Sequence, residues 1–296
     1  MNTDAFSKRH PLVNFVFFLG AIGFGVMIQH PIYLLAGILC GGTYYLLLNG
    51  KKGWKMIFAT LPLFLIMTFI NPLVNTDGTT VLFTVLGRPY TLEALVYGGA
   101  LASIFMVTIL WFGCYNAVMT SDKFSSLFGN LIPALSLLLI MVLRMIPNLI
   151  RKAKQISGAR MSVGKGIGEQ AENKEKLVEG ITVLSALTSW ALEGSVITGD
   201  SMRSRGYGTA KRSSFMIYRM TAVDWSLLVV QVLFALVLIA AIARGATTAT
   251  FTPEWYIAPV SGTYLSGFIA YCAYLFIPTV LHIKEAVQWH ISRSKI

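Results

Sequence analysis

Charge interrupts this chain so rarely that its apolar stretches decide what it can fold into. No Asp, Glu, Lys or Arg occurs in 11–50, 56–76, 94–121, 124–143, 225–243 or 255–283. Each window reaches the roughly 20 residues that a helix needs to cross the hydrocarbon core of a bilayer, and the first is long enough for two crossings. In that solvent every backbone N–H and C=O must be satisfied within the segment, which selects helices over open strands. Composition agrees, with 12% charged residues and a mean hydropathy of +0.66, against roughly 25% charged in a soluble domain. The sequence therefore predicts an all-α polytopic membrane protein with about six transmembrane helices and a cytoplasmic region of two long helices.

The net charge of +11 matters less than its placement. Half of the 24 Lys and Arg lie between positions 151 and 219, an excess that marks the cytoplasmic side of a membrane protein. Lys8 and Arg9 precede the first apolar run, which is read as an uncleaved helix with a cytoplasmic N-terminus. Spans are expected at 12–28, 32–48, 56–71 and 92–118, then at 225–243 and 262–282, with the C-terminus also inside. Gly37 and Gly41 form a small-xxx-small pair in the second span that permits close helix contact. Outside, Asn75-Thr76-Asp77-Gly78 reads as a turn and 79–85 as an extended run. Three regions follow: 1–120 with four membrane helices, 121–223 with two long cytoplasmic or interfacial helices, and 224–296 with a membrane hairpin.

The window at 124–143 cannot be a plain fifth span without carrying the most basic segment outside. From Arg144 onward Asn148, Arg151, Lys152 and Gln155 make a polar stripe, opposed by Leu139, Leu143, Ile146, Ile150, Ala153 and Ile156. With Pro133 and Pro147 bracketing the run, 131–157 is expected to be a kinked, partly interfacial helix ending near Gly158-Ala159-Arg160. Residues 162–179, polar and glycine-rich, read as a loop. A second helix starts near Thr182, with Leu184, Leu187, Ala191, Gly194 and Thr198 along one small or apolar face. Arg203 and Arg205 fall in its last turn, where cations suit the helix dipole, and Gly206 stands where a left-handed residue is wanted. A guanidinium fork at such a helix end suits a carboxylate or a phosphate.

Several chemistries are excluded. Cys40, Cys114 and Cys272 lie inside apolar windows without metal-ligand spacing, and His10, His30, His282 and His290 are scattered with no ligand partner. The stretch from Val163 to Gly168 lacks the Gly-x-x-x-x-Gly-Lys-Ser/Thr pattern of a phosphate loop. Too few aromatics interleave with the basic residues for a nucleic-acid groove. A lipid-modifying or prenyl-transfer enzyme would need neighbouring Asp residues for magnesium and diphosphate, but Asp4, Asp77, Asp122, Asp200 and Asp224 stand apart. A self-contained secondary transporter would show paired half-repeats and midplane charges. Neither pattern is visible. Glu193 and Asp200 are assigned to helix pairing rather than acid catalysis.

Three blocks carry a family resemblance. They are Asn71-Pro72-Leu73 with Gly78 to Phe83 and Thr91 to Leu95; Leu143-Arg144-Met145-Ile146-Pro147; and Ser189 to Glu193 running into Asp200 to Gly208. Over about 10–243 the chain resembles the transmembrane T component of energy-coupling factor transporters, the family that includes the cobalt-transport Q protein. The resemblance implies two cytoplasmic coupling helices, each ending in an Ala-Arg-Gly-like triplet that docks on one of two ATP-binding-cassette ATPase subunits, identical or different. The matching positions are Ala159-Arg160-Met161 and Ser204-Arg205-Gly206, with Arg203 beside the second. Met161 stands where the triplet has Gly, and Ser204 where it has Ala. Arg144, Pro147, Leu184, Leu187, Ala191 and Gly194 are assigned to packing of the coupling helices. The resemblance further implies a non-enzymatic subunit in a prokaryotic cell membrane. It would bind no cofactor or nucleic acid, would leave ATP and magnesium to the ATPases, and would act on a separate membrane substrate-binding subunit for vitamin or metal-ion uptake.

Overall fold

A computed structural model describes residues 4–85, 87–128, 133–164, 173–209, 218–251 and 255–293. The chain is 79% helical. Its helices are α1 (Pro11–Met27), α2 (Pro31–Asn49), α3 (Lys51–Val74), α4 (Leu92–Val118), α5 (Ser121–Phe128), α6 (Pro133–Ser162), α7 (Asn173–Ser204), α8 (Ala222–Ala243) and α9 (Gly262–Arg293). Two small antiparallel hairpins join spans: β1 (Val81–Val85) with β2 (Arg88–Thr91), and β3 (Ala249–Thr250) with β4 (Tyr256–Ile257). Helix starts follow local chemistry. Pro11 and Pro31 occupy first-turn positions where no N–H is missed. Thr221 and Asp224 form a reciprocal capping box on α8.

Among the described residues six helices are long and apolar enough to cross a membrane: α2, α3, α4, α7 over Lys176–Ser204, α8 and α9. This is an all-α, multi-pass membrane protein. The set differs from the expected one by one exchange, because α1 has 17 residues and α7 qualifies in its place. At 1.5 Å per residue α1 reaches about 26 Å, the lower end of what a crossing of a hydrocarbon core of about 30 Å requires. In α7 Glu193 is the one charged residue between Glu179 and Asp200, which leaves a window apolar enough to qualify. α9 runs beyond the expected span to Arg293.

The chain divides into two compact units, 1–120 with 218–296, and 121–217. In the first unit α4 packs on α1, α2 and α3, while α9 packs on α2 and α8. Phe17, Phe18, Trp111 and Tyr274 form its aromatic centre, all essentially inaccessible. The Gly37 and Gly41 pair faces α4: a Cβ at Gly41 would sit 3.1 Å from Trp111 Nε1, and one at Gly37 would sit 3.2 Å from Val107. Hydroxyls stitch the helices where backbone would otherwise face only hydrocarbon. Tyr33 donates to the Tyr264 carbonyl at 3.0 Å, and Tyr274 donates to the Phe17 carbonyl at 3.0 Å.

At one end of this unit the extended run expected at 79–85 is the first strand of a hairpin whose return strand follows Gly87, at φ +78°. Glu93, buried in the first turn of α4, anchors it. Its carboxylate accepts from the Thr79 hydroxyl at 3.1 Å, the Thr80 N–H at 3.1 Å and the Thr80 hydroxyl.

At the opposite end the first residues are not the free polar lead that the sequence suggests. Asp4 and Phe6 are 1% and 0% exposed. Asp4 accepts from the Tyr44 hydroxyl at 2.6 Å and meets His282 Nδ1 at 2.7 Å. Lys8 pairs with Glu285 at 2.6 Å, and Arg9 lies 4.0 Å from Asp224. His282 thus pairs with a carboxylate, a hydrogen-bond partner that the sequence did not reveal. Burial of Phe6 against Phe17 and Phe18 draws the segment into the bundle and brings its charges with it.

Candidate functional site

The second unit carries both arginine-bearing helix ends. α6 continues through Gly158-Ala159-Arg160, which the sequence reading took as its end, and stops at Ser162. The stop is made by Gly164, at φ +72°, whose N–H bonds the Met161 carbonyl at 3.0 Å. The left-handed residue missing at Met161 is thus supplied three positions later. α7 begins at Asn173 rather than near Thr182, so the expected loop at 162–179 shrinks and Glu179 lies well inside a helix. Lys165 and the rest of the glycine-rich stretch to Gly168, with Lys211 and Arg212, lie outside the described residues.

Two contacts fix α6 and α7 as antiparallel neighbours. Arg160 Nε and Nη2 each donate to Glu179 at 2.6 Å, a two-pronged fork, and Lys152 lies 5.6 Å over the Trp190 ring. As the α6 number falls, the α7 number rises. The fork holds the Arg160 guanidinium charged, its pKa pushed above the ordinary arginine value chiefly by the hydrogen bonds to Glu179. A guanidinium has five N–H donors, so three remain after the fork. With its side chain 29% exposed, Arg160 can hold Glu179 and still present donors outward.

The residues assigned to packing divide between two faces. Leu187, Ala191 and Gly194 are half-buried on the α7 face that also holds Val183 and Trp190, whereas Leu184 is 61% exposed. The exposed side of α7 carries Leu177, Val178, Ile181, Leu184, Leu192 and Val196. On α6, Arg144 and Pro147 are exposed, as are Ile146 and Ile150 of the expected apolar stripe, while Ala153 and Ile156 are half-buried. Ala159 and Met161 are exposed on the flanks of Arg160.

At the end of α7 the expected cap is present in full. Gly206 has φ +78°, the Tyr207 N–H bonds the Met202 carbonyl at 3.0 Å, and the Gly206 N–H bonds the Arg203 carbonyl at 3.0 Å, the paired bonds of a Schellman motif. Ser204 donates to the Asp200 carbonyl at 2.9 Å. Arg203 and Arg205 are exposed and make no ion pair among the described residues. The same cap recurs at Arg244-Gly245, where the Ala246 N–H bonds the Ala241 carbonyl at 3.0 Å and Gly245 has φ +71°. An Arg-Gly dipeptide is therefore a general stop signal in this chain, and its function depends on where the helix end lies.

Among the described residues no cluster of three or more His, Cys, Asp or Glu could hold a metal ion. What this unit offers chemically is guanidinium at two helix ends, suited to carboxylate or phosphate, and an uncovered apolar helix face. Glu179, the partner of Arg160, escaped the sequence reading because a loop assignment hid its helical phase. No protein-family model matches the chain, and no curated protein gives a significant match.

Proposed function

We propose that the chain is the transmembrane coupling subunit of an importer of the energy-coupling factor type. The single observation that carries the reading is the α6–α7 pair, two antiparallel helices whose arginine-bearing C-terminal ends, at Arg160 and at Arg203 and Arg205, lie at opposite ends of the pair. From Glu179, which sits beside Arg160, to Arg205 is 26 helical steps, on the order of 40 Å. Two sites so far apart suit two separate ATPase subunits, one for each end. Each guanidinium would meet a carboxylate in an ATPase groove. ATP and magnesium stay with those subunits, and closure of the ATPase pair moves the two helix ends together. The exposed apolar side of α7 passes that motion to a separate membrane subunit that chooses the vitamin or metal ion.

Charge placement in the first unit supports a cytoplasmic location for both termini. Lys8, Arg9, Lys51, Lys52, Lys55, Arg219 and Lys284 gather toward the end marked by Asp4 and His282, whereas Arg88 and Arg244 belong to the opposite end. Such asymmetry orients membrane proteins with the basic end inside. The test is purification of the native complex followed by identification of its companions. Two ATP-binding-cassette subunits and a further membrane protein are expected, and an Arg160→Glu, Arg205→Glu variant, altered at both ends, should lose the ATPases. Recovery of a functional transporter composed of this chain alone overturns the proposal.

A further inference from the structure

At the end of the first unit opposite Asp4, α8 and α9 enclose a groove of about 190 Å³ lined, among the described residues, by Val237, Ala240, Ala241, Arg244, Thr263 and Ser266. The lining is ordered along the helices. Val237, Ala240 and Ala241 lie within a charge-free membrane span, and Arg244, Thr263 and Ser266 close the groove at the helix ends. Arg244 is the C-cap of α8, its backbone held by the Ala240 carbonyl at 3.2 Å while Gly245 turns the chain away. The guanidinium is thus based at a fixed point on the rim. It makes no ion pair among the described residues, and Arg88 is the other described cation at this end.

We propose that this groove binds the headgroup phosphate of an anionic phospholipid, with the first acyl carbons lying along Val237, Ala240 and Ala241. Three features select that occupant. The groove is smaller than the roughly 300 Å³ at which pockets for whole small molecules begin, so it takes part of a ligand whose remainder lies elsewhere. Its floor is small and apolar toward the bilayer centre, which suits methylene groups and not a hydrated solute. Its rim pairs a guanidinium that has no ion pair among the described residues, matched to phosphate geometry, with two hydroxyls. Ser266 donates to the Thr263 carbonyl at 3.0 Å, and the Thr263 and Ser261 hydroxyls are hydrogen-bonded to each other at 2.9 Å. A hydroxyl oxygen engaged in one hydrogen bond can still accept another, so both can receive the hydroxyls of a glycerol headgroup. The site lies within the first unit and does not depend on the role proposed for α6 and α7.

The purified full-length protein, delipidated in a neutral detergent, provides the test. Thermal midpoints are followed during titration with phosphatidylglycerol, phosphatidylcholine or inorganic phosphate. A ligand that binds only the folded state raises the midpoint. Phosphatidylglycerol should stabilise the wild type more than phosphatidylcholine does, and inorganic phosphate should have no effect. Arg244→Gln should weaken the apparent affinity for phosphatidylglycerol roughly tenfold, the scale of one lost charge-assisted contact. Ala240→Phe, which fills the floor, should weaken it while leaving Arg244 in place, and Arg88→Gln should change nothing. An Arg244→Gln variant that loses the same stability with and without the lipid overturns the proposal, as an in-chain ion pair would behave that way. A shift given equally by inorganic phosphate, or by phosphatidylcholine, overturns it as well.

Discussion

Asp4 and His282, 278 positions apart in the chain, meet at 2.7 Å, with the other carboxylate oxygen of Asp4 held by Tyr44 at 2.6 Å. One buried carboxylate thereby ties the start of the chain to α2 and to α9 at the last residue of its expected span. Removing a partner leaves the remaining polar groups buried and unsatisfied, at about 1–3 kcal/mol. Asp4→Ala should lower the thermal midpoint in detergent, and His282→Ala should do so less, because Tyr44 still donates. In the double variant the losses should fall short of additive, as they do for groups in one network. Strict additivity would show that the two side chains do not interact.

The hairpin at 81–91 gives a second test. Gly78 has φ +150°, and a Cβ there would lie 2.6 Å from Glu93 Oε2 and 2.8 Å from Thr91, whereas a Cβ at Gly87 would meet nothing within 4 Å. Both substitutions to Ala strain the backbone, but only Gly78→Ala also expels the carboxylate from its threonine cradle. Gly78→Ala should therefore destabilise the protein more than Gly87→Ala and speed amide exchange of Thr80 specifically. Equal effects on exchange would mean that the cradle does not hold the hairpin.

The membrane fold was legible because lipid leaves helices few alternatives, and charge-free windows record that constraint directly. Glycine caps were legible too, since Gly206 follows the last periodic residue of α7. The fork between Arg160 and Glu179 was not, because a loop reading of 162–179 gave Glu179 no helical phase. Asp4 was missed for a different reason. Composition near a chain end reports polarity, but the burial of Asp4 is imposed by Phe6, and nothing local in the sequence says that a distant His282 and Tyr44 will receive it. The split of Leu184 from Leu187, Ala191 and Gly194 shows the limit of stripes: a broad apolar arc does not say which half meets the neighbouring helix.

α7 is apolar enough to cross a bilayer, yet the proposed function keeps it on one side. Single cysteines at Lys174 and Ser204, near its two ends, decide between the alternatives. Both should resist an impermeant thiol reagent added outside intact cells and react after the membrane is opened. Labelling of one position from outside would make α7 a span and remove the two-ended docking geometry.

The last prediction separates the pairing of Arg160 with Glu179 from the docking proposed for it. Arg160→Glu sets two carboxylates against each other where a fork had joined the helices, so amide exchange along 153–160 and 179–187 should accelerate. Adding Glu179→Arg reverses the polarity and should restore slow exchange, since a fork can form in either direction. ATPase retention should not follow, because the guanidinium now projects from α7 and α6 presents a carboxylate to an acidic groove. Arg205→Glu should weaken ATPase binding by about 2 kcal/mol or more without altering exchange in the fork region. Combined with the swapped pair it should abolish retention, since each docked end raises the effective concentration of the other. If the swapped pair restores ATPase retention together with slow exchange, Arg160 serves only to join α6 to α7, and docking at that end must rest on other residues.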